Sequence, residues 1–158
     1  MTKFGFVLLF IASSITGYSQ DAQDELQMIK LLFGTDKDMI VEQFVKVEGA
    51  SKDKFWALYK EFEGARKDLG QKKFKVLNTY VKTHNTLPEK DLDEIMLEII
   101  KLSASQDKLI ATYYTKVKKS CGIAVAAQFY QIEWYLLSEI RTSILETIPV
   151  INDLDNAK

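Results

Sequence analysis

The chain has 158 residues, 47% of them hydrophobic and 27% charged, ordinary values for one globular domain with a real core. A formal net charge of −1 excludes a global field that would draw it to nucleic acid or to an anionic membrane. One histidine and one cysteine exclude a histidine-rich metal site and an internal disulfide, so stability must come from packing.

The chain opens on a segment that predicts a cleaved secretory signal over residues 1–19. Lys3 supplies a positive start, Phe4 to Ile15 form an apolar stretch, and Gly17 and Ser19 place small residues before a cut at Gln20. That apolar stretch spans about 18 Å as a helix, short of the roughly 30 Å hydrocarbon core of a bilayer. No cysteine follows it, which argues against lipidation. The expectation is a periplasmic protein in which residues 20–158 form a single all-helical domain.

After the signal, Leu26, Ile29, Leu32 and Phe33 are spaced for one face of a short helix that Gly34 ends. Thr35 or Asp36 can cap a second short helix, with Met39, Ile40, Phe44 and Val47 as its apolar face. Gly49-Ala50-Ser51 is the next break, and Ser51 is the expected N-cap of a long helix. Phe55, Leu58, Tyr59, Phe62, Ala65, Leu69, Leu77 and Tyr80 then recur at helical spacing up to His84-Asn85. Gly64 and Gly70 lie within that run, each costing about 1 kcal/mol relative to alanine, and predict a bend or local loosening there.

Thr86-Leu87-Pro88-Glu89 fits a capping box with Thr86 at N-cap and Glu89 at N3. The helix that follows carries Leu92, Ile95, Met96, Ile99, Leu102, Gln106, Leu109, Tyr113 and Val117 on its inner side, and Lys116, Lys118 and Lys119 complement its C-terminus. Cys121 beside Gly122 falls in a turn, as a small tucked residue or as a thiol for an intermolecular bond. The last helix is expected over 124–147, before Pro149. Its Phe129, Tyr130, Trp134 and Tyr135 spread around most of the circumference, so it must pack across two longer helices or join two chains. Nothing reads as a strand.

Residues 52–84 and 87–119 would each extend about 50 Å as straight helices. A compact domain of this size is about 37 Å across. The expected architecture is therefore an elongated long-helix hairpin with additional helices laid along it.

Tests for chemistry fail one after another. His84 has no Glu-x-x-His partner motif, Met28, Met39 and Met96 are scattered, and no phosphate loop, dinucleotide fingerprint or nucleophile elbow occurs. Asp93 and Glu94 are adjacent on a helix and point to different faces. The reading is a binding protein rather than an enzyme, with no cofactor and no metal. Arg66, Lys67, Lys72, Lys73 and Lys75, with Lys116, Lys118 and Lys119, suggest a basic flank beside apolar groups that attracts acidic or unfolded chains.

Several segments carry a family resemblance: Phe55-Trp56-Ala57-Leu58-Tyr59-Lys60-Glu61-Phe62-Glu63, Thr86-Leu87-Pro88-Glu89-Lys90, Tyr113-Tyr114-Thr115-Lys116-Val117-Lys118-Lys119, and Ala126-Ala127-Gln128-Phe129-Tyr130-Gln131-Ile132-Glu133 followed by Ile148-Pro149. In order and spacing they resemble the Spy/CpxP-related (LTxxQ) helical proteins of the periplasm, and more closely their Bacteroidetes-type members. Gly49-Ala50-Ser51 and Ser120-Cys121-Gly122-Ile123 stand where that family's Leu-Thr-x-x-Gln turns would fall. The resemblance implies a long-helix hairpin, a cradle-like homodimer, and work as an ATP-independent chaperone or as a modulator of envelope-stress signalling. Phe55, Trp56, Tyr59, Phe62, Tyr130 and Trp134 are the candidates for apolar partner contact or dimer packing, and Lys67, Lys72 and Lys73 for electrostatic contact. The expected partners are unfolded client proteins. The alternative is a regulatory module that binds an envelope sensor kinase or anti-sigma factor.

Overall fold

The computed structural model describes residues 37–84 and 86–149, and these form four helices with no strand among them. In chain order they are α1 (Lys37–Phe44), α2 (Ala50–Thr83), α3 (Glu89–Cys121) and α4 (Ile123–Thr147). The signal segment and the helix expected over 21–33 lie outside the described residues.

α2 and α3, of 34 and 33 residues, form the long antiparallel hairpin, each about 50 Å in length. Phe62 meets Tyr113 with ring centroids 5.4 Å apart, and Lys73 Nζ reaches Ser103 Oγ at 3.1 Å, so the strands of contact run in opposite senses. α4 returns along α3, with Tyr114 against Tyr130 at 6.0 Å and Arg141 against Asp107 at 2.9 Å. The result is an up-down-up bundle. Just after α1, the Lys46 backbone N–H donates to Gln128 Oε1 at 2.8 Å and ties that short helix across the end where α3 turns into α4.

Two apolar clusters fill the bundle. The larger one gathers Phe55, Tyr59 and Phe62 of α2, Ile110, Tyr113 and Val117 of α3, and Phe129, Ile132 and Leu136 of α4, with Val41 and Val45 closing it. The smaller one, at the opposite end, is built on Leu77, Tyr80 and Val81. Polar side chains of Lys73, Ser103, Gln106, Asp107 and Arg141 lie between them.

Three local expectations are corrected. α1 buries Val41 and Val45 and leaves Met39, Ile40 and Phe44 exposed, the reverse of the face its apolar residues suggested; only Val47 of that set packs against the core. Lys37, Val41 and Val45 share a face at four-residue spacing, and the ion pairs of Lys37 turn that face inward. α2 runs unbroken through Gly64 and Gly70, because its inner face is packed on both sides of them. It begins at Ala50, with Gly49 rather than Ser51 at its N-cap. The capping box does not form either: Thr86 Oγ1 donates back to the Thr83 carbonyl at 3.1 Å, and Pro88 is the N-cap of α3.

Gly122 alone joins α3 to α4, with φ 92° and ψ 168°. No atom lies within 4 Å of where a Cβ would stand, so backbone conformation and not crowding demands glycine. Gly122→Ala is expected to lower unfolding stability by about 1–3 kcal/mol. A urea titration of that variant checks it, and unchanged stability would show that the turn relaxes freely.

Candidate functional site

The candidate aromatic residues of α2 are mostly buried. Phe55 and Phe62 are fully buried, Tyr59 nearly so, and Trp56 is half-buried against Phe55 and Tyr59 at 5.3 and 5.5 Å. Residues 55, 59 and 62 stand on one face, and that face closes on α3 and α4; their contact is packing within the chain. The three lysines are not gathered either. Lys67 and Lys72 are exposed but about 140° apart around α2, and Lys73 is turned inward at 7% exposure. Arg66, expected on the same flank, is half-buried and forms two hydrogen bonds to Glu63 at 2.6 and 2.8 Å. The basic flank as expected is therefore reduced: Arg66 and Lys73 turn inward, while Lys67, Lys72 and Lys75 stay exposed on α2.

Tyr130 and Trp134 are the candidates that the structure places on the surface as apolar groups. Tyr130 is 42% exposed, and Trp134 and its neighbour Tyr135 are each 57% exposed. Ile123, Tyr130, Trp134 and Leu145, all exposed, fall within an arc of about 60° on α4 and along about 33 Å of its length. Phe129, Ile132 and Leu136 on the other side are core. The aromatic residues of this helix thus divide, one inward and three outward. A Tyr114 ring edge steadies Tyr130 from α3 at 6.0 Å. Exposed Lys118 and Lys119, in the last turn of α3, directly precede the ridge in the chain. These exposed groups make the outer side of α4 the candidate contact surface, and aromatic groups with polar tips suit such contact.

Behind the ridge, a buried ionic cluster fixes α4 to α1 and α2. Lys37 Nζ donates to Glu63 Oε1 at 2.7 Å and to Glu133 Oε2 at 2.6 Å, and the Tyr59 hydroxyl donates to Glu133 Oε1 at 3.1 Å. Lys37 also lies over the Phe62 ring, 5.1 Å from its centroid. Two cations and two carboxylates balance, and among the described residues no buried side-chain nitrogen or oxygen lacks a hydrogen bond. Burial raises the Glu63 pKa, but the Arg66 and Lys37 interactions outweigh it and hold the carboxyl below its usual range. Burial dominates at Glu133 and holds it above that range, and burial with the Glu133 charge pushes the Tyr59 phenol up. Nothing in the sequence periodicity signals this cluster, because its members lie far apart along the chain.

The single histidine, His84, faces the Val81 carbonyl through Nδ1 at 2.9 Å at the end of α2. Cys121 is half-buried, with Sγ 3.7 Å from the Ser51 carbonyl, and burial raises its thiol pKa. Among the described residues no three His, Cys, Asp or Glu side chains stand close enough to hold a metal ion, and no helix is long and apolar enough to cross a membrane. No family model, curated protein or solved structure matches this chain.

Proposed function

We propose that this chain is an ATP-independent periplasmic chaperone or envelope-stress binding protein, of the Spy/CpxP-related kind, that holds unfolded clients on the outer face of α4. The observation that carries the reading is the exposure of Ile123, Tyr130, Trp134, Tyr135 and Leu145 on a helix whose other face is core. Spaced aromatic and aliphatic groups on a convex ridge offer many small contacts and no closed pocket, which suits segments of varied sequence. Each contact is weak, so release needs no nucleotide. Lys118 and Lys119 at the head of the ridge favour clients with acidic groups beside their apolar ones.

The test is the aggregation of a chemically denatured client followed by light scattering. Stoichiometric amounts of the mature protein are expected to suppress it. A variant carrying Tyr130→Ser, Trp134→Ser and Tyr135→Ser is expected to lose most of that effect while keeping its helical circular dichroism, since none of the three belongs to the buried clusters. Full activity of the triple variant would remove α4 as the client face.

A further inference from the structure

The end of the bundle away from α1 holds a cavity of about 390 Å³ between the distal halves of α2 and α3 and the end of α4. Its walls are apolar, formed chiefly by Leu77, Met96, Ile99, Ile144 and Ile148. One end is cationic: Lys73 and Arg141 both line it, together with Ser103. Tyr80 closes the other end, its hydroxyl donating to the Pro149 carbonyl at 3.0 Å. From Lys73 to Tyr80 the helix rises about 10 Å, the reach of a medium-length alkyl chain. The volume lies in the range of small-ligand sites, where an apolar lining is combined with a few placed polar groups.

We infer that this cavity binds a medium-chain fatty acid, with the carboxylate between Lys73 and Arg141 and the alkyl chain among Leu77, Met96, Ile99, Ile144 and Ile148. Charge complementarity selects this occupant. Arg141 is met by Asp107, Nη2 lying 2.9 Å from both carboxylate oxygens. Lys73 is different: its ammonium donates to Ser103 Oγ at 3.1 Å and Gln106 Oε1 at 3.3 Å, both neutral, and among the described residues it forms no ion pair. One positive charge is thus left over, nine-tenths buried, at the mouth of an apolar chamber. Burial and the Arg141 charge depress the Lys73 pKa, against a smaller opposing effect of Asp107, so the charged form lacks a counter-ion there. A carboxylate supplies one, and an alkyl tail fills the apolar space behind it. The site meets the ridge on α4 only at Leu145, which borders both, so its failure would leave the client reading at Tyr130 and Trp134 standing.

The test is calorimetry of the full mature chain with decanoate below its micellar range, beside decyl maltoside as a neutral control. One decanoate per chain is expected, with weaker binding of the maltoside. Lys73→Met and Arg141→Gln are each expected to weaken decanoate binding at least about tenfold, the loss of one charge-assisted hydrogen bond. Circular dichroism melting of both variants verifies folding; Lys73→Met keeps the aliphatic stem and removes only the unpaired charge. Binding that survives both substitutions but disappears in the Tyr130→Ser, Trp134→Ser variant would place decanoate on the ridge and overturn the proposal. So would binding that appears only with Ile151→Asp and Leu154→Asp, since the chain's own C-terminal residues would then be the occupant. Absence of binding in every case also overturns it.

Discussion

Replacing Phe62 by alanine is expected to destabilise the fold by about 3–5 kcal/mol, the range for deleting a fully buried phenylalanine. Phe62 is the ring on which three helices meet: it contacts Tyr59 of its own helix, Tyr113 of α3 and Phe129 of α4, with centroids 5.9, 5.4 and 5.2 Å away. It also forms the apolar floor under the Lys37 ammonium. Its loss therefore opens a cavity that no neighbour can fill without moving a second helix. Domains of this size are stable by only about 5–15 kcal/mol, so the variant should stand near its unfolding limit at room temperature. Urea unfolding followed by circular dichroism is expected to show a much lower midpoint at unchanged slope. A loss below about 1 kcal/mol would mean that the aromatic cluster is not the centre of the core.

The second large effect is expected from Lys37→Met, at about 3–5 kcal/mol near neutral pH. Here hydrophobicity is not the cause. Lys37 is the cation that Glu133 contacts, and Glu133 is only 2% exposed. Removing the ammonium leaves that carboxylate with the Tyr59 hydroxyl, 3.1 Å away, as its hydrogen-bond donor, in a site that already resists its charge. Lys37→Met combined with Glu133→Gln should be more stable than Lys37→Met alone, because the stranded charge is gone.

The sign with pH follows. Glu133 has a folded pKa above its unfolded value, so its contribution to stability is fully present below the unfolded value and is lost as pH rises through the folded one. Loss of Lys37 raises that folded value further, and the deficit of Lys37→Met should be smaller near about pH 5 than near about pH 8. Glu63 behaves in the opposite way. Its folded pKa is depressed, so its contribution is present above the unfolded value and is lost as pH falls through the folded one. In the intact protein acid should therefore weaken the cluster through Glu63. Denaturation curves of both proteins at the two pH values check these signs. A deficit that grows on acidification would contradict them.

Much of the architecture is legible in the sequence because long helices announce themselves by period. The boundaries of α2, α3 and α4 fall within a residue or two of Ser51, Leu87 and Ala124, and the inner face of α3 is read correctly at Leu102, Tyr113 and Val117. What periodicity cannot show is which of two apolar faces a short helix will bury. In α1 the choice is made by Lys37, whose partners lie 26 and 96 residues away. The same blindness misplaced the candidate surface. Phe55, Tyr59 and Phe62 form a clean helical stripe, which is equally the pattern of a core and of a docking face; only the positions of α3 and α4 decide. Lys73 reads as one more solvated lysine until Ser103 and Gln106 are placed against it. α4 is the reverse case. Its aromatics on all sides signalled that something beyond a solvated face was involved, and the structure divides them into Phe129 inside and Tyr130, Trp134 and Tyr135 outside.

The most direct measurement of the proposed client face uses Trp134 itself. The chain holds two tryptophans, so Trp56→Phe leaves Trp134 as the sole indole reporter. At low concentration its emission should be that of a water-exposed indole, readily quenched by acrylamide. Addition of a denatured client should shift the emission to the blue and protect it from quencher. Emission that is already blue and concentration-dependent without client would make the ridge a contact between copies of this chain. Emission that stays red and quenchable at saturating client would contradict the central claim.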